Sequence, residues 1–226
     1  MDTSNSLFQD SGRERIVDID ASTARNVVAF AASNDLRYYL NGIYVLSGSA
    51  PIVMASNGHF AYCEEATYSE ASASVPLKLS SGAKPHFKPN HRLQVHAFVD
   101  GNGVPKAEGS VLTVVDERGD VRYIEPGNAI YEAKYPDIRA VLGDFSTWRE
   151  GLTGNFDTKL LAGVLALPGW VRFYHLDGGA GTSAALFTVD LKSGASGVGA
   201  VMPARGRPFN RLIPSAWRPA SPNHDI

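Results

Sequence analysis

One order of elements recurs along this chain, and few folds accommodate it: a strand running into a helix, then further strands. The first pass starts at Ile16-Val17-Asp18-Ile19, an alternating strand signal. It enters Asp20-Ala-Ser22-Thr23, where Asp20 or Ser22 can cap a helix by accepting a bond from an unpaired N–H. That helix carries Val27, Val28, Phe30 and Ala31 and stops near Ser33-Asn34-Asp35. Two strands are predicted over residues 38–46 and 52–63, the second broken at Ser56-Asn57-Gly58, a turn or bulge signal. The second pass has strands over 75–79, 92–99, 110–115 and 121–125, at hairpin spacing. Its helix is predicted to be short, because Gly82, Pro85 and Pro89 interrupt residues 80–90.

The third pass is clearer. Asp157 can cap a helix whose Leu160, Leu161, Val164 and Leu165 form one apolar stripe, ended by Pro168-Gly169. Strands over 170–176, 184–191 and 198–202 follow. The order strand-helix-strand-strand-strand thus occurs three times with no residue-level repeat, which places the chain in the α+β class with antiparallel sheets. Residues 1–14 are polar and read as a frayed lead-in. Residues 206–226 carry four prolines and little periodicity, and read as disordered or draped over the surface.

Charge narrows the function classes. Basic and acidic side chains number 21 and 23, so the formal net charge of −2 excludes a generic polycationic DNA-coating protein. Basic groups that all face one way remain compatible with it. The single cysteine, Cys63, allows neither an internal disulfide nor a thiolate zinc cluster. The first ten residues lack the pattern of a signal peptide, and no apolar run reaches the ~20 residues of a membrane span. A soluble, cytoplasmic protein is the expectation.

Candidate chemistry is sparse. His59 and Cys63, four apart on one strand face, would stand about 13 Å from each other at ~3.3 Å per residue, too far for proton transfer. His86, His91 and His96 lack the geometry of a helical metal site, because prolines break their segment. Asp100-Gly-Asn-Gly103 lacks the closing glutamate of a calcium loop and reads as a hairpin turn. Gly178-Gly-Ala-Gly181 joins two strands and leads into no helix, so the phosphate-cradling geometry is missing. These residues predict no catalytic site, no metal and no cofactor: a binding protein, not an enzyme.

Three segments, in order, resemble the bacterial DNA polymerase sliding clamp, the beta subunit of the replicative polymerase. Arg37-Tyr-Tyr-Leu-Asn-Gly42 followed by Met54-Ala-Ser-Asn-Gly-His59 is similar to that family's "RYYLNG … ATDGHRL". Glu132-Ala-Lys-Tyr-Pro-Asp-Ile-Arg-Ala-Val-Leu142 resembles its "G-[KR]-[FY]-P-D-Y-x-R-[VL]-[LI]-P", and Ala200-Val-Met-Pro-Ala-Arg205 its closing "V-M-P-M-R". The resemblance covers residues 15–205. It implies a clamp-like fold of repeated units, two to a domain, with sheets outside and helices lining a hole around DNA. It maps residues 15–143 onto the family's middle domain and 144–205 onto the second half of its last domain.

It further implies a pocket for linear peptides of polymerase and clamp-loader proteins, lined by Arg37, Ser56, Gly58, His59, Phe60, Ala61, Leu142, Gly143, Met202, Pro203, Ala204 and Arg205. Phe60, Ala61, Gly143 and Ala204 depart from the family's Arg, Leu, Pro and Met. Such a pocket needs an apolar floor for a Leu or aromatic anchor and a few polar groups for an extended backbone, and Met202 suits the floor. Arg25, Lys84, Lys88 and Lys159 are the expected DNA-facing cations. That lining is thin for one chain, so the resemblance implies a homo-oligomer around double-stranded DNA. The alternative is a relative that forms no ring and serves as a peptide-binding module or competitor.

Overall fold

The three passes are three units of one design. A computed structural model of the protein describes residues 12–66, 69–136, 138–152, 156–176 and 184–203. The expectations for the first eleven residues, for Gly178-Gly-Ala-Gly181 and for the tail lie outside these. Unit 1 is β1 (Glu14–Asp20), α1 (Ala21–Val28), β2 (Gly42–Leu46), β3 (Ile52–Ser56) and β4 (Phe60–Glu65), trailed by the two-residue β5 (Glu70–Ala71). Unit 2 is β6 (Val75–Lys78), a 3-10 turn at Lys84–His86, β7 (Arg92–Ala97), β8 (Val111–Val115) and β9 (Val121–Ile124). The short helix α2 (Arg139–Leu142) precedes unit 3, which is β10 (Trp148–Glu150), α3 (Thr158–Leu165), β11 (Gly169–Leu176), β12 (Ala185–Leu191) and β13 (Ser196–Val201).

Units 1 and 2 exchange their leading strands. β1 pairs antiparallel with β7 of unit 2, in the register Ile19↔Leu93 and Asp20↔Arg92. β6 pairs with β2 of unit 1, with Ile43 opposite Leu77. One sheet therefore runs β5-β1-β7-β8-β9. The other runs β10-β11-β12-β13-β4-β3-β2-β6, because β13 lies beside β4 and joins unit 3 to unit 1.

Alternation along these strands sorts side chains between two faces. Ile43, Val45, Leu77, Leu93 and Val95 point into the main core and are wholly buried, worth roughly 1.5–3 kcal/mol each. Helix α1 adds Ala24, Val27 and Val28 to that core, and α3 adds Val164. Phe30, just past α1, stacks on Tyr62 at 4.7 Å and meets Phe60 edge-on at 5.0 Å. The opposite face of the eight-stranded sheet holds a second cluster that includes Leu40, Met54, Ala61, Leu186 and Ala200. The segment from Tyr131 to Trp148 crosses that face, and α2 lies on it.

Local expectations differ from this structure in four places. Residues 38–41 form a 3-10 turn, not a strand, with the Leu40 N–H bonded to the Arg37 carbonyl at 2.8 Å. Asp20 sits at the N-cap of α1 without capping it, because its carboxylate turns to Arg92 (Nη1–Oδ1 3.1 Å). α1 stops at Val28, so Phe30 and Ala31 lie beyond it. In α3 the apolar stripe is incompletely covered: Val164 is buried, Leu160 and Leu161 are half-buried, and Leu165 is 64% exposed. Asp157 does cap α3, accepting from the Lys159 N–H at 2.8 Å. β10 had no strand signal in the sequence.

Candidate functional site

The two sheets present unlike outer faces. On the five-stranded sheet the row Asp18, Gln94, Thr113 is polar, and Asp18 accepts from Arg92 at 2.7 Å and Gln94 at 3.2 Å. On the eight-stranded sheet the corresponding surface is apolar. Register aligns Tyr44, Met54, Cys63, Val198 and Thr188 in one row, and Ala61, Ala200 and Leu186 in the next. An apolar outer face needs a cover, and the Tyr131–Trp148 segment supplies part of it. Tyr135 stacks on Tyr44 at 5.2 Å, and its hydroxyl accepts from the Ser56 N–H at 3.0 Å. Burial pushes the Tyr135 phenol pKa up, so it stays protonated. Farther along, Trp148 Nε1 donates to the Leu142 carbonyl at 3.2 Å, closing the cover.

The residues expected from the sequence converge where β4 meets β13. The Met202 N–H donates to the His59 carbonyl at 2.7 Å, tying the end of β13 to the turn before β4. That turn is built by Ser56 and Asn57: Ser56 Oγ accepts from the Gly58 N–H at 3.1 Å, and Asn57 Oδ1 accepts from the N–H groups of His59 and Phe60. Gly58 has φ +84°, and Arg37 lies so close that a Cβ there would stand 3.0 Å from Nη2. The positive φ favours glycine there, while the exposed Arg37 end could shift to admit a Cβ. Arg37 is itself held by Asp35 (Nη2–Oδ2 2.8 Å), which draws the Asp35 carboxyl down to about 2. His59 is exposed, Met202 is 44% exposed and Pro203 is half-buried. Ala61 and Leu142 are buried in the outer cluster beneath this lip.

Two expected residues stand apart. Phe60 points through the sheet to the main core against Phe30, since strand alternation puts it opposite Ala61. Gly143, with φ +66°, is the exposed residue that ends α2 and meets nothing where a Cβ would be. Ala204 and Arg205 lie outside the described residues.

Beside the lip, a cavity of about 700 Å³ opens on the same outer face. Its floor is Met54, Cys63, Val198 and Leu142, and Phe145, Glu65, Arg172 and Asp190 line it further out. A smaller recess of about 310 Å³ lies across Tyr135, between Tyr44, Pro76 and Lys134. The sequence reading missed Met54, Cys63 and Val198. Strand period 2 would have found them, since each stands two residues from Ser56, Ala61 or Ala200.

The four expected DNA-facing cations are all exposed. Arg25 is on α1 and Lys159 in the first turn of α3, the two helices packed on the main core opposite the cleft. Lys84 borders a groove with Val28 and Ala29 at the end of α1, and Lys88 lies just beyond it. Among the described residues no helix is long and apolar enough to cross a membrane.

Antiparallel sheets built from paired units, joined edge to edge with helices on one side, define the sliding-clamp class of fold. A DNA polymerase sliding clamp from Pseudomonas aeruginosa, solved with a ligand, superposes on 84% of this chain with a TM-score of 0.56 and 16% identity. The beta subunit of the Caulobacter crescentus polymerase III covers 86% with a TM-score of 0.53 and 16% identity. This chain spans only 65% of the Pseudomonas protein. No family model matches the chain, and no curated protein matches its sequence. The chain has the sliding-clamp fold.

Proposed function

We propose that this protein is a shortened, non-enzymatic sliding clamp. In this reading the cleft at the β4–β13 junction docks a short extended segment of a DNA polymerase or clamp-loader protein. The carrying observation is the convergence there of three distant segments: the turn at Ser56–His59, Met202 bonded to it, and Leu142 on the floor. An apolar floor bordered by charged and hydrogen-bonding groups suits a peptide with one large apolar anchor. Arg37, with its guanidinium at the lip, can meet the peptide's carbonyls or an acidic side chain. Pro203 continues the lip.

Arg25, Lys84, Lys88 and Lys159 would meet the phosphates of double-stranded DNA without reading bases. One chain offers too few of them for useful affinity at physiological salt, so processivity requires a homo-oligomer that encircles the duplex. Primer extension on a long template, with and without the protein, tests this: longer products are expected, and unchanged product length contradicts it. A titration with a polymerase-derived clamp-binding peptide tests the cleft. Met202→Ala and His59→Ala should each weaken binding several-fold, and unchanged binding in both would remove the pocket assignment.

The thin basic lining favours a second reading, a peptide-binding module or competitor that forms no ring. Peptide binding without any effect on extension would select it.

A further inference from the structure

Among the described residues the cover of the apolar outer face stops short. The segment from Tyr131 to Trp148 closes over Tyr44, and beyond it the cavity of about 700 Å³ keeps Met54, Cys63 and Val198 on its floor. Its far rim is charged. Glu65 of β4 and Asp190 of β12 flank Ser196 of β13, with Arg172 of β11 one strand away. Among the described residues none of these three charged side chains is in an ion pair. Two carboxylates against one guanidinium leave the rim acidic. Trp170, 82% exposed, stands opposite Asp190 on the same face, and an indole beside a carboxylate suits a cation lying between them.

One segment of the chain has the matching chemistry and starts at the lip. Residues 204–226, outside the described residues, carry four arginines against one aspartate and include the run Phe209-Asn-Arg-Leu-Ile213. The preceding residue, Pro203, follows the Met202 amide that is bonded to the His59 carbonyl. β13 runs from the cavity toward that lip, so a chain returning to the cavity must first reverse. A four-residue reversal takes up residues 204–207, Arg205 and Arg207 among them. Leu212 is then five residues along the return, roughly 17 Å of extended chain, against roughly 13 Å from Met202 back to Val198. Arg211 is the first arginine on the return path.

We propose that the chain's own tail covers this face. The segment 209–213 folds back along β13, Leu212 and Ile213 enter the cavity over Met54, Cys63 and Val198, and Arg211 meets Glu65 and Asp190. A tethered segment needs only to exceed the entropy of closing a short loop, which an apolar anchor and a charge pair together can do. The docked tail requires no partner, so it stands apart from whatever the cleft binds.

Maleimide labelling of Cys63 on the native full chain tests it, because the chain's single cysteine lies on the cavity floor. Leu212→Asp and Arg211→Glu should each speed labelling several-fold with the circular-dichroism melt retained. Glu65→Lys together with Asp190→Lys should do the same, and Arg211→Glu added to that pair should slow labelling again. Arg207→Glu, within the reversal, should leave the rate unchanged. Wild-type rates in both Leu212→Asp and Arg211→Glu overturn the proposal, as does equal acceleration by Arg207→Glu. Protection of Cys63 that grows with protein concentration would put a second copy's tail in the cavity and overturn docking within one chain. No polymerase peptide enters the assay, so its outcome and that of the cleft titration read separately.

Discussion

Unit 1 and unit 3 share one order of elements and meet in one sheet, yet they are buried differently. In unit 1 the helix buries five of its residues, Ala21, Thr23, Ala24, Val27 and Val28, and β2 is flanked by β3 and β6. In unit 3 the helix buries only Val164, and among the described residues the outer neighbour of β11 is the three-residue β10. The local sequence is not the cause, since Leu160, Leu161, Val164 and Leu165 are more apolar than the helix of unit 1. The difference is the neighbour. A unit of this design is half a fold, and its core belongs to the pair.

Truncations on the two sides should therefore differ most. Leu77→Ala, on the exchanged strand β6, opens a cavity in a wholly buried site and should cost about 2–5 kcal/mol in urea unfolding. Leu161→Ala on the half-buried helix should cost less than about 1 kcal/mol. Equal losses would break the comparison.

The joint between the units sharpens it through pH. Glu64 of β4 is buried at the joint, and burial raises its carboxyl pKa from 4.5 to about 7, against hydrogen bonds from Asn26 and Tyr62 that favour the anion. Between those values the folded chain keeps a proton that the unfolded chain has released. Stability from this group therefore falls as pH rises from about 4.5 to 7. Glu64→Gln has no proton to lose and should be more stable than wild type above that window by roughly 2–3 kcal/mol, converging with it near the unfolded pKa. His96 of the five-stranded sheet behaves oppositely: burial lowers it to about 4, so its contribution is lost as pH falls from 6.5 to 4. Melts of the wild type and of Glu64→Gln across pH 4 to 8 check the two signs: the difference between them reports Glu64, and the loss that remains in the variant as pH falls reports His96.

Gly199 of β13 tests packing at the same joint. A Cβ there would collide with Phe187 and with the Ala61 carbonyl, so Gly199→Ala should cost about 1–3 kcal/mol and loosen unit 3 from unit 1. A smaller effect is expected of Asp157→Ala, about 1 kcal/mol from the lost cap of α3. Asp20→Ala at the matching place in unit 1 acts through Arg92 instead, and a helix-cap readout by amide exchange at α1 should not move.

The sequence carried the unit order, most strand positions and the Asp157 cap, because period 2, turn residues and caps are local signals. It could not show that β1 and β6 change places, since pairing partners distant in sequence leave no local mark. For the same reason Asp20 read as a cap when its tertiary partner is Arg92. The residues at the lip were legible through the resemblance. Period 2 puts Met54, Cys63 and Val198 each on the face of its own strand that carries the lip residues, but that the three meet as one floor follows from register across β3, β4 and β13. Phe60 was misplaced by carrying over a motif without asking which face alternation gives it.

The most direct test of the half-domain account is amide hydrogen exchange on the full chain at high dilution. The account predicts that the Ile43 and Val45 amides of β2 exchange only through global unfolding, while the amides of α3, a helix that buries only Val164, exchange through local opening. Equal protection of β2 and α3 would contradict it.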